Sequence, residues 1–208
     1  MAIGTEPTVQ KYFPNKKNQI MEQVINSVNG VDLLRLKETI NAVASNPSLG
    51  KFQFRASNEW IDGGFNRSTI KSFYGAGQED SSRHEAFILE NDEPTVLLGG
   101  NHAANPAEQV LHGLAGCLTT AMVYHGAARG YKIDRVESRL EGDLNLKGFL
   151  GLDPSVRNGF ENISVTFSIE GDLTKEQKEE ILRLGMKFSP VFDIVTNKVP
   201  VKVTLAAN

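Results

Sequence analysis

One stretch restricts this chain more than any other: Asn105 to Gly130, NPAEQVLHGLAGCLTTAMVYHGAARG. Asn105 can accept hydrogen bonds from the free amides of a first helical turn. Pro106 sits where a missing N–H costs nothing, and Glu108 falls three residues after the cap. Gly130 can close the far end in a left-handed conformation. The roughly 24 residues between these marks make a rod of roughly 36 Å. Its middle carries almost no charge and is crowded with small residues: Gly113, Ala115, Gly116, Thr119, Thr120 and Ala121. A helix apolar all round is a buried helix, and small side chains let another backbone come close. Cys117, the only cysteine of the chain, lies at its centre.

The flanking segments set the fold class. Residues 1–18 are polar and read as a loose arm. Gln19 to Ala44 has helical apolar spacing, broken by Asn29-Gly30 into two helices, the second capped by Asp32. The expected division is therefore an arm and helical extension over residues 1–46 and a main domain over 47–208. Within the domain, Lys51 to Trp60 alternates as a strand, Asp62-Gly63-Gly64 turns, and Arg67 to Tyr74 returns as a hairpin partner that Gly75-Ala76-Gly77 ends. A third strand is expected within 84–98.

After the long helix, Ile133 to Leu144 and residues 160–170 alternate as strands. Thr174 with Gln177 makes a capping box for a helix over 175–187, and Ser189-Pro190 starts a short helix over 190–196. Val199, Val201, Val203 and Leu205 predict a last strand. Strands cluster instead of alternating with helices, so the class is α+β with largely antiparallel sheets around a long buried helix.

Composition narrows the chemistry. The 208 residues are 40% hydrophobic and 23% charged, with a net charge of −3 and both signs interspersed, which gives no footprint for nucleic acid or an anionic membrane surface. A single cysteine excludes an intrachain disulfide and fits a reducing compartment, most simply the cytoplasm. No run of about 18 apolar residues occurs. Gly75-x-Gly77 lacks the third glycine of a dinucleotide loop, and no phosphate-binding lysine loop or nucleophile elbow is present. His84, His102, His112 and His125 are scattered, with no pair at i, i+4, so neither metal nor cofactor is expected.

Cys117 remains. In mid-helix it is either a small buried hydrophobe or a nucleophile needing a cation or base nearby. Helix geometry places His125 about 12 Å along the axis, His112 about 7.5 Å away and far around the circumference, and Glu108 about 13 Å off on the opposite face. None pairs with the thiol inside one helix, so a tuning group must come from another segment or another subunit. That makes an oligomer the expectation.

Asn105-Pro106-x-Glu108 followed by Leu111 and Gly113-Leu114-Ala115-Gly116-Cys117-Leu118 resembles the central-helix signature of the OsmC/Ohr family. The hairpin Asn58–Arg67, the long strand after the helix and the LTKEQKEEIL helix before a Ser-Pro step follow the same order, so the similarity covers about residues 50–206. The resemblance implies an OsmC-like fold in an intertwined homodimer and a thiol peroxidase that reduces organic hydroperoxides. One cysteine attacks the peroxide, a second in a Cys-Pro step resolves it, and an arginine and a glutamate hold the thiolate.

Carried over, Cys117 matches the attacking cysteine, Arg67 the arginine (with Arg55 as alternative), and Glu108 approximately the glutamate, Ala107 standing where one branch has it. Ser189 stands where the resolving cysteine would be, so a two-cysteine cycle is impossible within the chain. A one-cysteine cycle reduced by an external thiol or dithiol is still open. Phe149, Phe160 and Phe188, with Ser189, would then line an apolar pocket for a bulky hydroperoxide, or else serve ordinary core packing. The alternative function is binding of a small apolar or thiol-reactive ligand in the same cleft without peroxidase chemistry.

Overall fold

The computed structural model describes residues 27–206. The expected polar arm over 1–18 and the first expected helix up to residue 26 lie outside that range. The described chain starts with a minimal hairpin, β1 (Ser27–Val28) and β2 (Val31–Asp32). Its turn, Asn29-Gly30, has both residues at positive φ (55° and 77°), a conformation that Asn and Gly reach most easily. The tail of the predicted first helix is thus a strand. Helix α1 (Leu33–Ser45) follows, capped as expected by Asp32, whose carboxylate accepts from the Arg35 N–H. Asn29 ties this extension to the rest of the chain. Its side-chain amide donates to the Tyr131 carbonyl (3.0 Å), and its carbonyl oxygen accepts from the Ile133 N–H (2.9 Å).

Three strands form the first large sheet: β3 (Ser57–Asp62), β4 (Phe65–Ile70) and β7 (Phe87–Asn91), antiparallel in the order β3-β4-β7. The strand expected from Lys51 starts only at Ser57. The alternation of Phe52 and Phe54 marks an aromatic cluster instead, both rings lying within 6.3 Å of Phe73. Gln53 contributes one isolated bridge to Tyr74. The strand expected over 67–74 breaks at residue 70, and β5 (Phe73–Gly75) turns through Ala76-Gly77 into β6 (Gln78–Asp80). The third expected strand is confined to β7, beyond which Asp92 to Asn105 loops toward the long helix.

That helix, α2 (Pro106–Ala127), has the full reciprocal cap: the Glu108 N–H donates to Asn105 Oδ1 (2.8 Å) and the Asn105 N–H to Glu108 Oε2 (2.9 Å). It buries Leu114, Leu118, Ala121 and Met122. The long hairpin β8 (Arg135–Leu144) and β9 (Phe160–Glu170) follows, in register from Arg135↔Glu170 to Leu144↔Phe160, with the four-residue helix α3 (Leu146–Phe149) in its connection. Helix α4 (Lys175–Phe188) takes its Thr174/Gln177 capping box, and α5 (Pro190–Thr196) starts at Ser189-Pro190.

Helix α4 runs antiparallel to α2. Glu180 meets Arg129 (3.1 Å), Ile181 packs at Gly126, and Gly185 lies against Met122 and the Leu118 carbonyl. A Cβ at Gly185 would come within 2.5 Å of Met122 Cγ, so the missing side chain is what permits the approach. The opposite face of α2, with Val110, Gly116, Thr120 and Tyr124, is uncovered within the chain. Residues 199–205, expected as a strand, form no regular element and pair with no strand among the described residues. Their apolar side chains stand in solvent, Val203 at 88% and Leu205 at 99% exposure.

Candidate functional site

Cys117 is a free, half-buried thiol. Successive helical residues are about 100° apart, which sets it on the shoulder between buried Leu118 and exposed Gly116. Gly113 and Gly116 beside it face open space: a Cβ at either would meet nothing within 4 Å. The small residues that make the helix centre so featureless in composition therefore keep one flank of the thiol clear of side chains.

The charged residues singled out in the sequence already have partners. Arg67 sits in mid-strand on β4 opposite Glu90 of β7, donating from Nε (2.9 Å) and Nη2 (2.7 Å) to Glu90 Oε1. Arg55 is held by Glu79, donating from Nη1 (2.8 Å) and Nη2 (2.7 Å), and by Gln53. Glu108 completes the cap of α2. A separate link joins the Arg67 sheet to this helix, as Gln109 Nε2 donates to the Glu90 carbonyl (3.3 Å).

Glu108 and Phe160 do come together. With Asn105, Leu111, Leu140 and Leu144 they line an open cleft of about 420 Å³ between the start of α2 and the β8–β9 hairpin. The Phe160 ring lies against Gly142, where a Cβ would strike it at 2.5 Å, and adds an apolar side to the cleft. Phe149 stands apart at the end of α3, 74% exposed. Phe188 stacks on His125 of α2, with ring centroids 3.9 Å apart and planes 14° from parallel. Burial, and secondarily the Arg129 charge, hold the His125 pKa below its ordinary value.

Ser189 is 2% exposed and caps α5, its Oγ accepting from the Phe192 N–H (3.1 Å). It belongs to the turn after Gly185, and the direction of α4 carries it toward the level of Cys117. The Ser189 hydroxyl thus already has a structural job. Among the described residues, no group of three or more His, Cys, Asp or Glu is placed to hold a metal ion, and no helix is long and apolar enough to cross a membrane.

One arrangement had no signal in the sequence. Asp92, 1% exposed, accepts from the Glu93 N–H (2.8 Å), the His102 N–H (3.0 Å) and His102 Nδ1 (2.9 Å). The backbone N–H of His102 foremost, with that of Glu93, lowers the Asp92 pKa against the cost of burial. The pair anchors the loop that delivers the N-terminus of α2, and it forms only once residues ten apart fold back on each other.

Residues 99–204, which include Cys117, Glu108, Phe160 and Ser189, match the family model described as OsmC-like protein, over half of the 208-residue chain. The chain belongs to the OsmC-like protein family. Solved OsmC-like structures agree at the level of the fold. An OsmC like protein from Mycoplasma pneumoniae superposes with a TM-score of 0.52 at 13% identity, covering 70% of this chain and 89% of the other. An organic hydroperoxide resistance protein OsmC from Legionella pneumophila gives a TM-score of 0.50 at 18% identity, covering 72% and 93%. No curated protein matches the sequence. The OsmC-like match spans the long helix with Cys117, the β8–β9 hairpin and Ser189, but starts after the sheet that holds Arg67.

Proposed function

We propose that this OsmC-like protein is a thiol-dependent peroxidase that reduces organic hydroperoxides through Cys117, with an external thiol as reductant. The observation that carries the reading is the position of Cys117: a free, half-buried thiol in the middle of the central helix, at the edge of the face left uncovered within the chain, inside the family-matched segment.

In the proposed cycle the Cys117 thiolate attacks the terminal oxygen of ROOH and the O–O bond breaks. The alkoxide leaves and takes up a proton as ROH, and the sulfur becomes a sulfenic acid. Ser189 cannot condense with it. An external thiol does so instead, releasing water and forming a mixed disulfide, which a second thiol cleaves to return Cys117 and an oxidised dithiol or disulfide product.

A homodimer completes the site for this cycle. The uncovered face of α2, the exposed Trp60, Phe87 and Ile88, and the unpaired segment 199–205 leave many large apolar side chains in solvent, the kind of surface that marks an interaction site. A second subunit would cover it and bring a cation to the thiol, from the Arg67 hairpin or from Arg55, once its glutamate exchanges. Residues 27–46 form an appendage to the domain, clipped by Asn29. A single free cysteine suits a reducing, cytoplasmic setting.

The 420 Å³ cleft and the structural role of Ser189 support a second reading, in which the same fold binds a small apolar or thiol-reactive ligand without turnover. Turnover of an organic hydroperoxide with a dithiol separates the two. The peroxidase predicts activity that Cys117→Ser abolishes, and an internal disulfide with Cys117 in Ser189→Cys. Absence of turnover in the wild type, with no disulfide in the variant, leaves the binding function.

A further inference from the structure

We propose that the groove at the open end of the β3–β4 hairpin is a binding site for a small oxyanion, a phosphate or carboxylate group. Ser57 and Thr69 are directly opposed across the hairpin, and Arg55 and Lys71, two residues further out on each side just beyond the strand ends, line the same groove. With Ala56 and Ser72 these residues surround a cavity of about 240 Å³. Every charge in the lining is positive, three of the remaining side chains carry hydroxyl donors, and no carboxylate faces in.

The rim is held in place from outside. Arg55 spends four N–H groups on Gln53 and Glu79 out of the five a guanidinium carries, which fixes its plane and leaves one donor. Arg83 Nη1 donates to the Lys71 carbonyl (3.0 Å), while its guanidinium rests over Phe73 and Phe87, 5.1 Å from each ring. Glu79 offsets the charge of Arg55, whereas Lys71 enters no ion pair among the described residues. Lys71 is therefore the uncompensated cation and the main source of affinity, and charge-assisted bonds to an oxyanion are the strong kind. Cys117 is not among the residues that line the groove, and the proposal rests on Lys71, which the peroxidase reading does not use.

The test is amide chemical-shift titration of the full chain at constant ionic strength, with inorganic phosphate, glycerol phosphate and succinate as separate arms and sodium chloride as control. Saturable shifts at Ser57, Thr69 and Ser72 are expected in at least one arm. Lys71→Ala should weaken that binding by about tenfold or more, as expected for one hydrogen bond to a charged group, and Lys71→Arg should retain it. Thr69→Val, which keeps the side-chain shape, should weaken it several-fold while leaving the spectrum of a folded protein. Phosphate binding as tightly as its ester assigns the groove to the free ion. Tighter binding of the ester or of succinate assigns it to a molecule bearing the group. No saturable shift in any arm, or equal affinity in wild type and Lys71→Ala, overturns the proposal.

Discussion

Ser189 separates what a residue type suggests from what its position does. Its Oγ caps α5 and its side chain is buried, so Ser189→Ala should cost about 1 kcal/mol of stability, measured by urea unfolding, with no loss of peroxide chemistry. Asp92 makes a second residue-scale prediction. Its folded pKa lies below the unfolded value, so the unfolded chain takes up the proton first as pH falls. The stabilisation is complete above the ordinary carboxylate pKa of about 3.9 and is lost as pH drops through the lower folded value. Asp92→Asn should remove that part of the acid limb when stability is followed from pH 7 to pH 3; an unchanged limb would mean the pair with His102 carries no such weight. At this scale the caps were legible because they are local: Asn105 with Glu108, Thr174 with Gln177 and Ser189 with Phe192 need only their own turn. The partners of Arg67, Arg55 and Asp92 were not, since each depends on strand register or loop return.

At the scale of elements, the contact of α2 with α4 turns on Gly185. Gly185→Ala would drive a methyl into Met122 and should cost about 1–3 kcal/mol by overpacking, read as a lower urea midpoint. A neutral result would show that Met122 swings aside and that the two helices have slack. The strands illustrate what periodicity conveys. β9 occupies residues 160–170 as expected because both its faces alternate and β8 lies next to it in sequence. The alternation at 51–56 belongs to an aromatic cluster, and that at 199–205 has no partner in the chain. Periodicity reports that a face wants covering, not what covers it.

The whole molecule is where the uncovered surfaces become a single question. An open helix face, an exposed Trp60 and a solvent-facing C-terminal segment all favour a second subunit. Sedimentation should give twice the chain mass, and a chain ending at residue 198 should lose dimer stability or dissociate; a truncated chain that remains an equally stable dimer would place the interface elsewhere. The proposed chemistry rests on Cys117 in that assembly. Its most direct test is the second-order rate at which an organic hydroperoxide oxidises Cys117 in the native protein, followed by intact mass against free cysteine. A peroxidase should gain a single oxygen at a rate orders of magnitude above that of free cysteine, and dithiol should reverse the gain. A native thiol that reacts no faster than free cysteine would contradict the proposed function.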